Sequence, residues 1–323
     1  MHILGIETSC DETAASMVRD GRIILSNTVA SSLKEHERFG GIIPEIASRK
    51  QLEFIHPVVK QALEDAGCAL SDIDAVSVTQ SPGLLGSLLV GRSYGRSLAF
   101  ALDRPCIPVD HIKAHLYANF LRTADDTSPV PELPAVGLIV SGGHTSLYHV
   151  TNFTDFRLLG STRDDAAGEC FDKVARILGL GYPGGPAIDR LANSNPADPV
   201  KFNPARLPGS FDFSFSGTKT AVLYHHQKHP PENAQDTARI ARGFQDSVVG
   251  ILTQKTIQAC RETGASSLIV GGGVAANSAL RRSLAEHTAQ AGINLHIPPL
   301  YLCMDNAAMI AGYGYHLEPV NIS

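Results

Sequence analysis

Two histidines four residues apart are the first residues whose spacing could do chemistry. They bracket the segment His111-Ile112-Lys113-Ala114-His115. If the segment is helical, both imidazoles lie on one face and can share a metal ion. The same spacing also fits two ordinary histidines at the edge of a core. Ile112 stands where a zinc protease of the HExxH type has its catalytic glutamate, so the pattern argues against metalloprotease chemistry.

Two glycine-rich segments could hold an anion, because glycine lets the backbone approach a ligand with its N–H groups. One lies between two apolar stretches, and the other follows a predicted strand and opens a helix. Their sequences are Ser141-Gly142-Gly143-His144-Thr145 and Gly271-Gly272-Gly273-Val274-Ala275-Ala276-Asn277. The second matches the dinucleotide pattern G-x-G-x-x-A, but no acidic residue follows near His296 to hold a ribose. Both segments also fit plain turns, and the sequence contains no P-loop motif.

Several aspartates stand near predicted helix starts, where an aspartate usually caps the helix. This interpretation covers Asp164, Asp165 and Asp305. Asp172 lies inside a predicted helix, so it needs another partner, such as a salt bridge or a ligand hydroxyl. Asp11 and Glu12 fall in a predicted hairpin turn, where they could act as proton acceptors or simply order the turn.

Composition narrows the classes of function. The chain has 323 residues, of which 43% are hydrophobic and 18% are charged, and this balance indicates a packed interior. The net charge of −5 argues against nucleic-acid binding by bulk charge alone. The six cysteines are scattered singly, which argues against a cysteine zinc cage or a disulfide framework. The start of the sequence lacks a signal-peptide pattern and no apolar stretch could span a bilayer, so we expect a soluble cytoplasmic protein.

The elements that position these residues form a repeated layout. Apolar runs predict strands at 3–8, 14–18 and 22–29, followed by a helix over 44–66 that ends at Gly67. After a strand at 75–79, a helix over 84–102 carries small residues that permit close packing, and residues 114–121 are predicted to lie in a helix. The strand layout returns at 136–140, 145–150 and 156–160, before a helix over 166–178. The predicted strand at 294–297 and a last helix from 305 complete the chain.

Two such lobes indicate an α/β protein of the actin, sugar-kinase and Hsp70 (ASKHA) class, with duplicated ribonuclease-H-like lobes and a central cleft. We predict an N-terminal lobe over 1–132 plus a C-terminal helix over 305–323, and a C-terminal lobe over 133–304. The loop-like segment 193–235 is predicted to be an insertion, before a long helix over 237–263. In that class a nucleotide binds in the cleft, which would place the two glycine-rich turns on its opposite sides.

Ten ordered blocks spanning residues 2–316 closely resemble one family, the universal tRNA threonylcarbamoyladenosine synthases of bacterial TsaD type, formerly described as glycoproteases. The blocks are Gly5-Ile6-Glu7-Thr8-Ser9-Cys10-Asp11-Glu12-Thr13, Gly40-Gly41-Ile42-Ile43-Pro44-Glu45, Pro82-Gly83-Leu84, His111-Ile112-Lys113-Ala114-His115, Val140-Ser141-Gly142-Gly143-His144-Thr145, Phe171-Asp172-Lys173, Tyr182-Pro183-Gly184-Gly185, Phe213-Ser214-Phe215-Ser216-Gly217, Gly271-Gly272-Gly273-Val274-Ala275-Ala276-Asn277 and Asp305-Asn306.

The resemblance implies a reaction and a site. The family transfers a threonylcarbamoyl group from threonylcarbamoyl-adenylate to N6 of adenosine 37, in tRNAs that read codons beginning with A. One divalent metal, Fe²⁺ or alternatively Zn²⁺, would be held by His111, His115 and Asp305. The substrate contacts implied by the resemblance are Ile139, Val140, Ser141, Gly142, Gly143, Asp172, Gly185, Asp189 and Asn277. Asp11 and Glu12 are the candidate bases for the amine.

The resemblance also implies partners: a catalytically silent paralogue of TsaB type and a small ATPase of TsaE type. Residues 34–50, with Lys34, Arg38, Arg49 and Lys50, could form a tRNA-facing rim in which His36 and Phe39 stack on a base, or they could be a solvated face. The alternative function is an ATP-dependent kinase or chaperone-like ATPase of the same fold, which the histidine pair disfavours. The intact His111, His115 and Asp305 set disfavours a non-catalytic scaffold.

Overall fold

The computed structural model describes residues 1–194, 198–204 and 207–320. It divides the chain into two compact units, Met1–Val130 with Pro298–Ser323, and Pro131–Ile297. The predicted lobe boundaries at 132 and 304 stay predictions. The predicted insertion 193–235 and C-terminal helix 305–323 include residues 195–197, 205–206 and 321–323, which lie outside the described residues.

The first unit is built on a mixed sheet with strand order β3-β2-β1-β5-β6, in which β4 also pairs with β2. Strands β1 and β2 are antiparallel, whereas β1, β5 and β6 run parallel. Its elements in this part of the chain are β1 (His2–Glu7), β2 (Glu12–Arg19), β3 (Ile23–Ile24), β4 (Thr28–Ser31), α1 (Leu33–Glu37), α2 (Pro44–Ala66), β5 (Ala75–Ser81), α3 (Leu85–Ala101), β6 (Cys106–Asp110) and α4 (His111–Tyr117).

The second unit carries the other sheet, with order β11-β10-β7-β8-β9. Strands β7, β8 and β9 are antiparallel neighbours, and β10 runs parallel to both β7 and β11. Its elements are β7 (Ala135–Val140), β8 (Thr145–Val150), β9 (Phe156–Ser161), α5 (Ala167–Ile177), α6 (Gly184–Ser194), α7 (Ser216–Lys228), α8 (Ala234–Thr263), β10 (Ser267–Gly271), α9 (Ser278–Ala291) and β11 (Asn294–His296). The chain then returns to the first unit with α10 (Leu300–Cys303) and α11 (Ala307–Gly314).

Local sequence signals explain most of these boundaries. Helix α2 spans the predicted residues and ends at Gly67, whose φ of 63° suits glycine, so this prediction is confirmed. Helix α8 begins earlier than predicted, because the Asn233 side chain accepts from the backbone N–H groups of Gln235 and Asp236. None of the helices in the described part of the chain combines the length and apolar character needed to cross a bilayer.

Two secondary-structure predictions are wrong. The strand predicted over 22–29 is two short strands, β3 and β4, which both pair with β2. The pairing between β2 and this segment is interrupted at Ser26. There the N–H of Met17 in β2 donates to the Ser26 hydroxyl at 3.1 Å. The segment predicted to be loop-like over 193–235 contains helix α7. Only Thr218 and Val222 of this helix are buried, so its sequence has little of the apolar periodicity that predicts a helix.

Small residues let α3 lie directly on the first sheet, as its composition predicts. A Cβ atom on Gly95 would overlap the Val78 side chain of β5, and one on Gly91 would overlap the Thr8 side chain. The hydroxyl of Thr8 also donates to the carbonyl of Ser87 at 2.9 Å. Helix α3 therefore fixes the turn that follows β1.

We predict that Gly95→Val lowers the free energy of unfolding by at least about 2 kcal/mol, because overpacking a tight contact costs about 1–3 kcal/mol and valine is a poor helix former. Urea unfolding followed by circular dichroism measures the change. The matched control is Ser97→Val, which introduces the same residue at an exposed position of the same helix. Equal losses for the two variants would contradict the close packing of α3 on β5.

Candidate active site and metal centre

Helix α4 presents both histidines of the 111–115 motif on one side. It starts directly after β6, and the Asp110 side chain caps it by accepting from the N–H of Lys113 at 2.9 Å. The helical spacing expected for His111 and His115 is confirmed, although α4 begins at His111 rather than at Ala114 and ends at Tyr117. Their rings meet edge to face with centroids 4.6 Å apart. Both histidines are buried.

Asp305 lies beside both rings. Its Oδ1 atom is 3.1 Å from Nε2 of His115 and 3.6 Å from Nε2 of His111. The position of Asp305 before the last helix favours a cap, but this prediction is wrong. The cap is Asn306, whose side chain accepts from the N–H of Met309 at 3.0 Å, so the Asp305 carboxylate faces the histidines instead.

The chemistry of this donor set fits a metal ion. One ligand atom from each of His111, His115 and Asp305 lies within 4.8 Å of the others. Two imidazole nitrogens and one carboxylate oxygen suit Zn²⁺ or Fe²⁺, and three protein ligands leave coordination positions for substrate. This group of three side chains allows a single metal ion.

Charge reinforces the cluster. Burial acts to lower the pKa of His111, but the negative charges of Glu7 and Asp305 outweigh it and raise this pKa to about 9. Burial acts to raise the pKa of the Asp305 carboxyl, yet His111 and His115 hold it well below its usual range. The site therefore attracts positive charge, as a cation-binding site must.

Glu7 is the site residue that sequence reasoning missed. It is fully buried at the end of β1, and its Oε2 atom lies 3.0 Å from Nδ1 of His111. The same oxygen accepts from the hydroxyl of Thr79 at 2.5 Å, and Oε1 accepts from the N–H of Ser9. The available signal was a single acidic residue closing an otherwise apolar strand.

The candidate bases lie in the turn after β1 and at the start of β2. Asp11 is mostly buried, and its backbone carbonyl accepts from both the N–H and the hydroxyl of Ser32. Burial raises the pKa of Glu12 well above its ordinary range, and the charges of Asp305 and Asp11 raise it further. Glu12 thus holds a proton more readily than a solvated carboxylate does.

The 141–144 turn of the second unit is shaped by Ser141. Its N–H donates to the carbonyl of His144 at 2.8 Å, and its hydroxyl accepts from the N–H of His144 at 3.1 Å. Gly142 and Gly143 are exposed, and a Cβ on either would meet no atom within 4 Å. The side chains of Ile139 and Val140 are fully buried, so these two residues could reach a ligand only through their backbone.

The two glycine-rich turns lie side by side in the second unit, so the expectation that they face each other across a cleft is wrong. Strands β7 and β10 are parallel neighbours, and their carboxyl ends therefore lie at one edge of the sheet. A Cβ on Gly272 would stand 2.5 Å from the carbonyl oxygen of Val140 and 3.2 Å from Cβ of Ser141. Gly272 also has a φ of 92°, which favours glycine.

Asp172 has a backbone partner that was not expected from the sequence. Its Oδ1 atom accepts from the N–H of Gly184 at 2.7 Å, at the start of α6. Burial raises the pKa of Asp172, and hydrogen bonds from Gly184 and Gly185 partly offset this. Asp172 therefore fixes the segment that carries Gly185, where a Cβ would meet open space.

Asp189 and Asn277 meet around the start of α9. The carboxylate of Asp189 accepts from the N–H of Ser278 at 3.1 Å and from its hydroxyl at 2.9 Å. Asn277 caps α9 by accepting from the N–H of Leu280 at 2.9 Å, and its Nδ2 donates to Oε1 of the buried Gln245 at 2.8 Å. Gln245 was not identified from the sequence, where nothing distinguishes it from the other polar residues of α8.

The prediction that Asp164 and Asp165 cap α5 is wrong, since the residue before that helix is Ala166. Asp165 instead pairs with Lys173 and Lys219, each at 2.6 Å. Asp164 holds the chain at the start of α7, where its carboxylate accepts from the N–H groups of Phe215 and Ser216 and from the hydroxyls of Ser214 and Ser216. One carboxylate thereby orders the 213–217 block.

We predict that Asp164→Ala accelerates amide hydrogen exchange at Phe215 and Ser216 by about tenfold or more, because a hydrogen bond to a charged group contributes about 1.5–3 kcal/mol. Exchange followed by mass spectrometry on peptides covering residues 211–220 measures the change. The control is Asp155→Ala, which removes an exposed carboxylate of the same unit that bonds only within its own turn. Unchanged exchange at both amides in Asp164→Ala would show that this carboxylate does not order the block.

Comparison with solved structures places the fold. The full-length HypF structure matches with a TM-score of 0.62 at 14% identity, over 97% of this chain and 46% of that one. Component A of (R)-2-hydroxyglutaryl-CoA dehydratase from Acidaminococcus fermentans matches with a TM-score of 0.54 at 16% identity, over 98% of each chain. At these identities the likeness shows the fold alone, which is the predicted two-lobed ASKHA-like fold.

Comparison of sequences is more specific. Residues 23–312 match the family described as TsaD, tRNA N6-adenosine threonylcarbamoyltransferase. The protein of that name from Symbiobacterium thermophilum is 52% identical over 315 residues, covering 98% of this chain and 91% of the relative. The one from Syntrophus aciditrophicus is 50% identical over 318 residues, covering 98% and 92%. The chain therefore belongs to the TsaD family of tRNA N6-adenosine threonylcarbamoyltransferases, as the ten sequence blocks predict.

Proposed function

We propose that this tRNA-modifying transferase takes its threonylcarbamoyl group from threonylcarbamoyl-adenylate and places it on adenosine 37 of tRNAs that read codons beginning with A. We propose further that it does so with one divalent metal held by His111, His115 and Asp305. The observation that carries the metal proposal is the convergence of these three side chains within 4.8 Å. The alternative of a kinase or chaperone-like ATPase has no support from the comparisons.

Three protein ligands would hold the metal, and Fe²⁺ is the proposed ion, with Zn²⁺ as the alternative. When bound, such an ion supplies Lewis acidity that polarises an oxygen of the donor. The surrounding residues orient the ligands: Asp110 caps the helix that carries both histidines, and Ser9 places its hydroxyl 3.4 Å from Oδ2 of Asp305.

The turns of the second unit are proposed to bind the adenylate half of the donor. Exposed Gly142 and Gly143 leave room for a phosphate beside the backbone, and uncharged N–H groups bind such anions well. Gly185, Asp172, Asp189 and Asn277 are proposed to contact the nucleoside, whose hydroxyls can donate to carboxylates. The hydrogen bonds between Asp172 and Gly184, between Asp189 and Ser278 and between Asn277 and Gln245 support this role, because they hold these residues in place without substrate.

In the proposed reaction, N6 of the adenosine attacks the carbamoyl carbon of the donor. A carbon–nitrogen bond forms, the bond from that carbon to the phosphate oxygen breaks, and AMP leaves. The proton released from N6 must pass to a base, for which Asp11 and Glu12 are the candidates. The charge of Asp305, a proposed metal ligand, contributes to the raised pKa of Glu12, which indicates that Glu12 lies near the proposed metal site.

Exposed apolar residues on α3 support the proposed partner of TsaB type. Leu85 and Leu89 are exposed by 82% and 62% and lie one turn apart near the start of this helix, and Phe100 is exposed by 74% near its end. The exposed Ser93 and Arg96 lie between Leu89 and Phe100. Leu52 of the neighbouring helix α2 is also exposed. Exposed apolar residues clustered on two adjacent helices are typical of a protein interface. The proposed small ATPase of TsaE type rests on the family resemblance alone.

The proposed tRNA-facing rim at residues 34–50 needs one correction. His36 is fully buried, with its ring nitrogens 3.2 Å from the Ser32 hydroxyl and from the N–H of Ile43, so it cannot stack on a base. Phe39 is 48% exposed, and the guanidinium of Arg38 lies 4.7 Å from its ring centroid. These two residues still offer a stacking surface with a positive charge.

We predict that His111→Ala and Asp305→Ala each lose most of the bound metal, because each removes one of three ligands. Elemental analysis of the purified protein gives the metal content. Mass analysis of tRNA nucleosides, after incubation with threonylcarbamoyl-adenylate and the partner proteins, should show at least a hundredfold loss of the modified nucleoside. The control is His56→Ala, which removes an exposed histidine. Full metal occupancy in both site variants would refute the proposed ligands.

We predict that Gly142→Val weakens binding of a non-hydrolysable threonylcarbamoyl-adenylate analogue at least tenfold while leaving the unfolding midpoint unchanged. A Cβ at this position meets no protein atom within 4 Å, so a side chain here is expected to obstruct the ligand rather than the fold. Isothermal titration calorimetry and urea unfolding measure the two effects. The control is Gly250→Val at an exposed position of helix α8, where a Cβ is also unobstructed. Parent-like affinity in Gly142→Val would place the adenylate elsewhere.

A further inference from the structure

We propose that Glu7 is the positioning residue of the metal centre: its buried carboxylate keeps the His111 proton on Nδ1, so that Nε2 is directed at Asp305 and His115. This inference rests on the proposed function, because it needs the metal to be held by those three residues. It assigns Glu7 no contact with substrate or metal.

The geometry around Glu7 carries the proposal. Its Oε2 atom lies 3.0 Å from Nδ1 of His111, whereas Nε2 of the same ring faces Oδ1 of Asp305 at 3.6 Å. The two nitrogens of His111 therefore have separate partners on opposite sides of the ring. A carboxylate can only accept, so the nitrogen beside it carries a proton, and the lone pair of the neutral ring that binds a metal is then on the other nitrogen. Metal-binding histidines are commonly oriented in this way.

The partners of the buried Glu7 carboxylate are a histidine, a hydroxyl and a backbone N–H. It is fully buried, and burying a carboxylate is costly unless donors surround it. Among the described residues, Glu7 forms an ion pair with His111. Two further donors, the hydroxyl of Thr79 and the N–H of Ser9, fix the carboxylate in one orientation.

The same contacts tie the metal centre to the turn after β1. Ser9 donates its N–H to Glu7, and its hydroxyl lies 3.3 Å from Nδ1 of His111 and 3.4 Å from Oδ2 of Asp305. A change at Glu7 therefore disturbs the orientation of both His111 and the turn that leads to Asp11 and Glu12.

Glu7→Gln tests the proposal, because the new amide can donate to Nδ1 and thereby favour a proton on Nε2, the nitrogen needed by the metal. We expect its affinity for Zn²⁺, measured by competition with a chromophoric chelator, to fall 10–100-fold. The control is Glu64→Gln, the same change at an exposed position of α2. Thr79→Val is the milder variant, which removes one donor to Glu7 and should weaken Zn²⁺ binding about fivefold, as expected for one hydrogen bond.

A spectroscopic measurement on the unmodified protein needs no variant to fold. In the Zn²⁺-loaded chain with ¹⁵N-labelled histidine, long-range proton–nitrogen correlation should show His111 protonated on Nδ1 and metal-bound through Nε2. A parent protein that binds no Zn²⁺ would refute the proposed metal site and this inference with it. Zn²⁺ binding with the His111 proton on Nε2, or a folded Glu7→Gln variant with Zn²⁺ affinity within twofold of the parent, would overturn the role of Glu7 alone.

Discussion

The first unit is organised by an acidic and imidazole cluster in which Glu7, His111, His115 and Asp305 satisfy one another's charges. Its members come from the end of β1, from α4 and from the residue pair before α11, so the cluster forms only if the last segment of the chain returns to the first sheet. Small residues permit that return. A Cβ on Gly5 would stand 2.7 Å from the backbone nitrogen of Ala311, and one on Gly314 would overlap the Ser77 side chain. All eight residues of α11 are buried, which stabilises this docking through the hydrophobic effect.

The second unit follows a different constraint, set by strand adjacency. Because β7 and β10 are parallel neighbours, the turns after them share one edge of the sheet, and Gly272 can pack against Val140 only without a side chain. Aspartates then connect the surrounding helices: Asp172 holds the start of α6, and Asp189 on α6 holds the start of α9. Asp172, Asp189 and Asn277, which the family resemblance implies as substrate contacts, thus hold the local structure, and under the proposed function this keeps the binding site ordered before substrate arrives.

Features that follow from local sequence patterns, such as helical spacing and glycine turns, could be predicted from the sequence. Residues whose role depends on a single contact with a distant part of the chain could not. Helical spacing was enough to place His111 and His115 on one face, and glycine signals located the turns at 141–144 and 271–273. Asp305 hydrogen-bonds to a histidine 190 residues earlier, so no spacing rule could pair them, and only the family resemblance did. Glu7 escaped notice because one acid at the end of an apolar strand has no periodic signature. Asp164 was interpreted as a cap of the nearest helix, although its carboxylate orders a segment about 50 residues later.

The charges of the two units suggest how the proposed chemistry is divided between them. The first unit gathers Glu7, Asp11, Glu12 and Asp305 around its histidines, and such a set repels the phosphate of an adenylate unless a cation is present. The second unit offers exposed glycine backbone at 142–143, whose N–H dipoles favour an anion. Under the proposed function, the phosphate half of the donor therefore belongs with the glycine turns. In the first unit, an acidic group beside the proposed metal ligands is useful because the attacking amine must lose a proton.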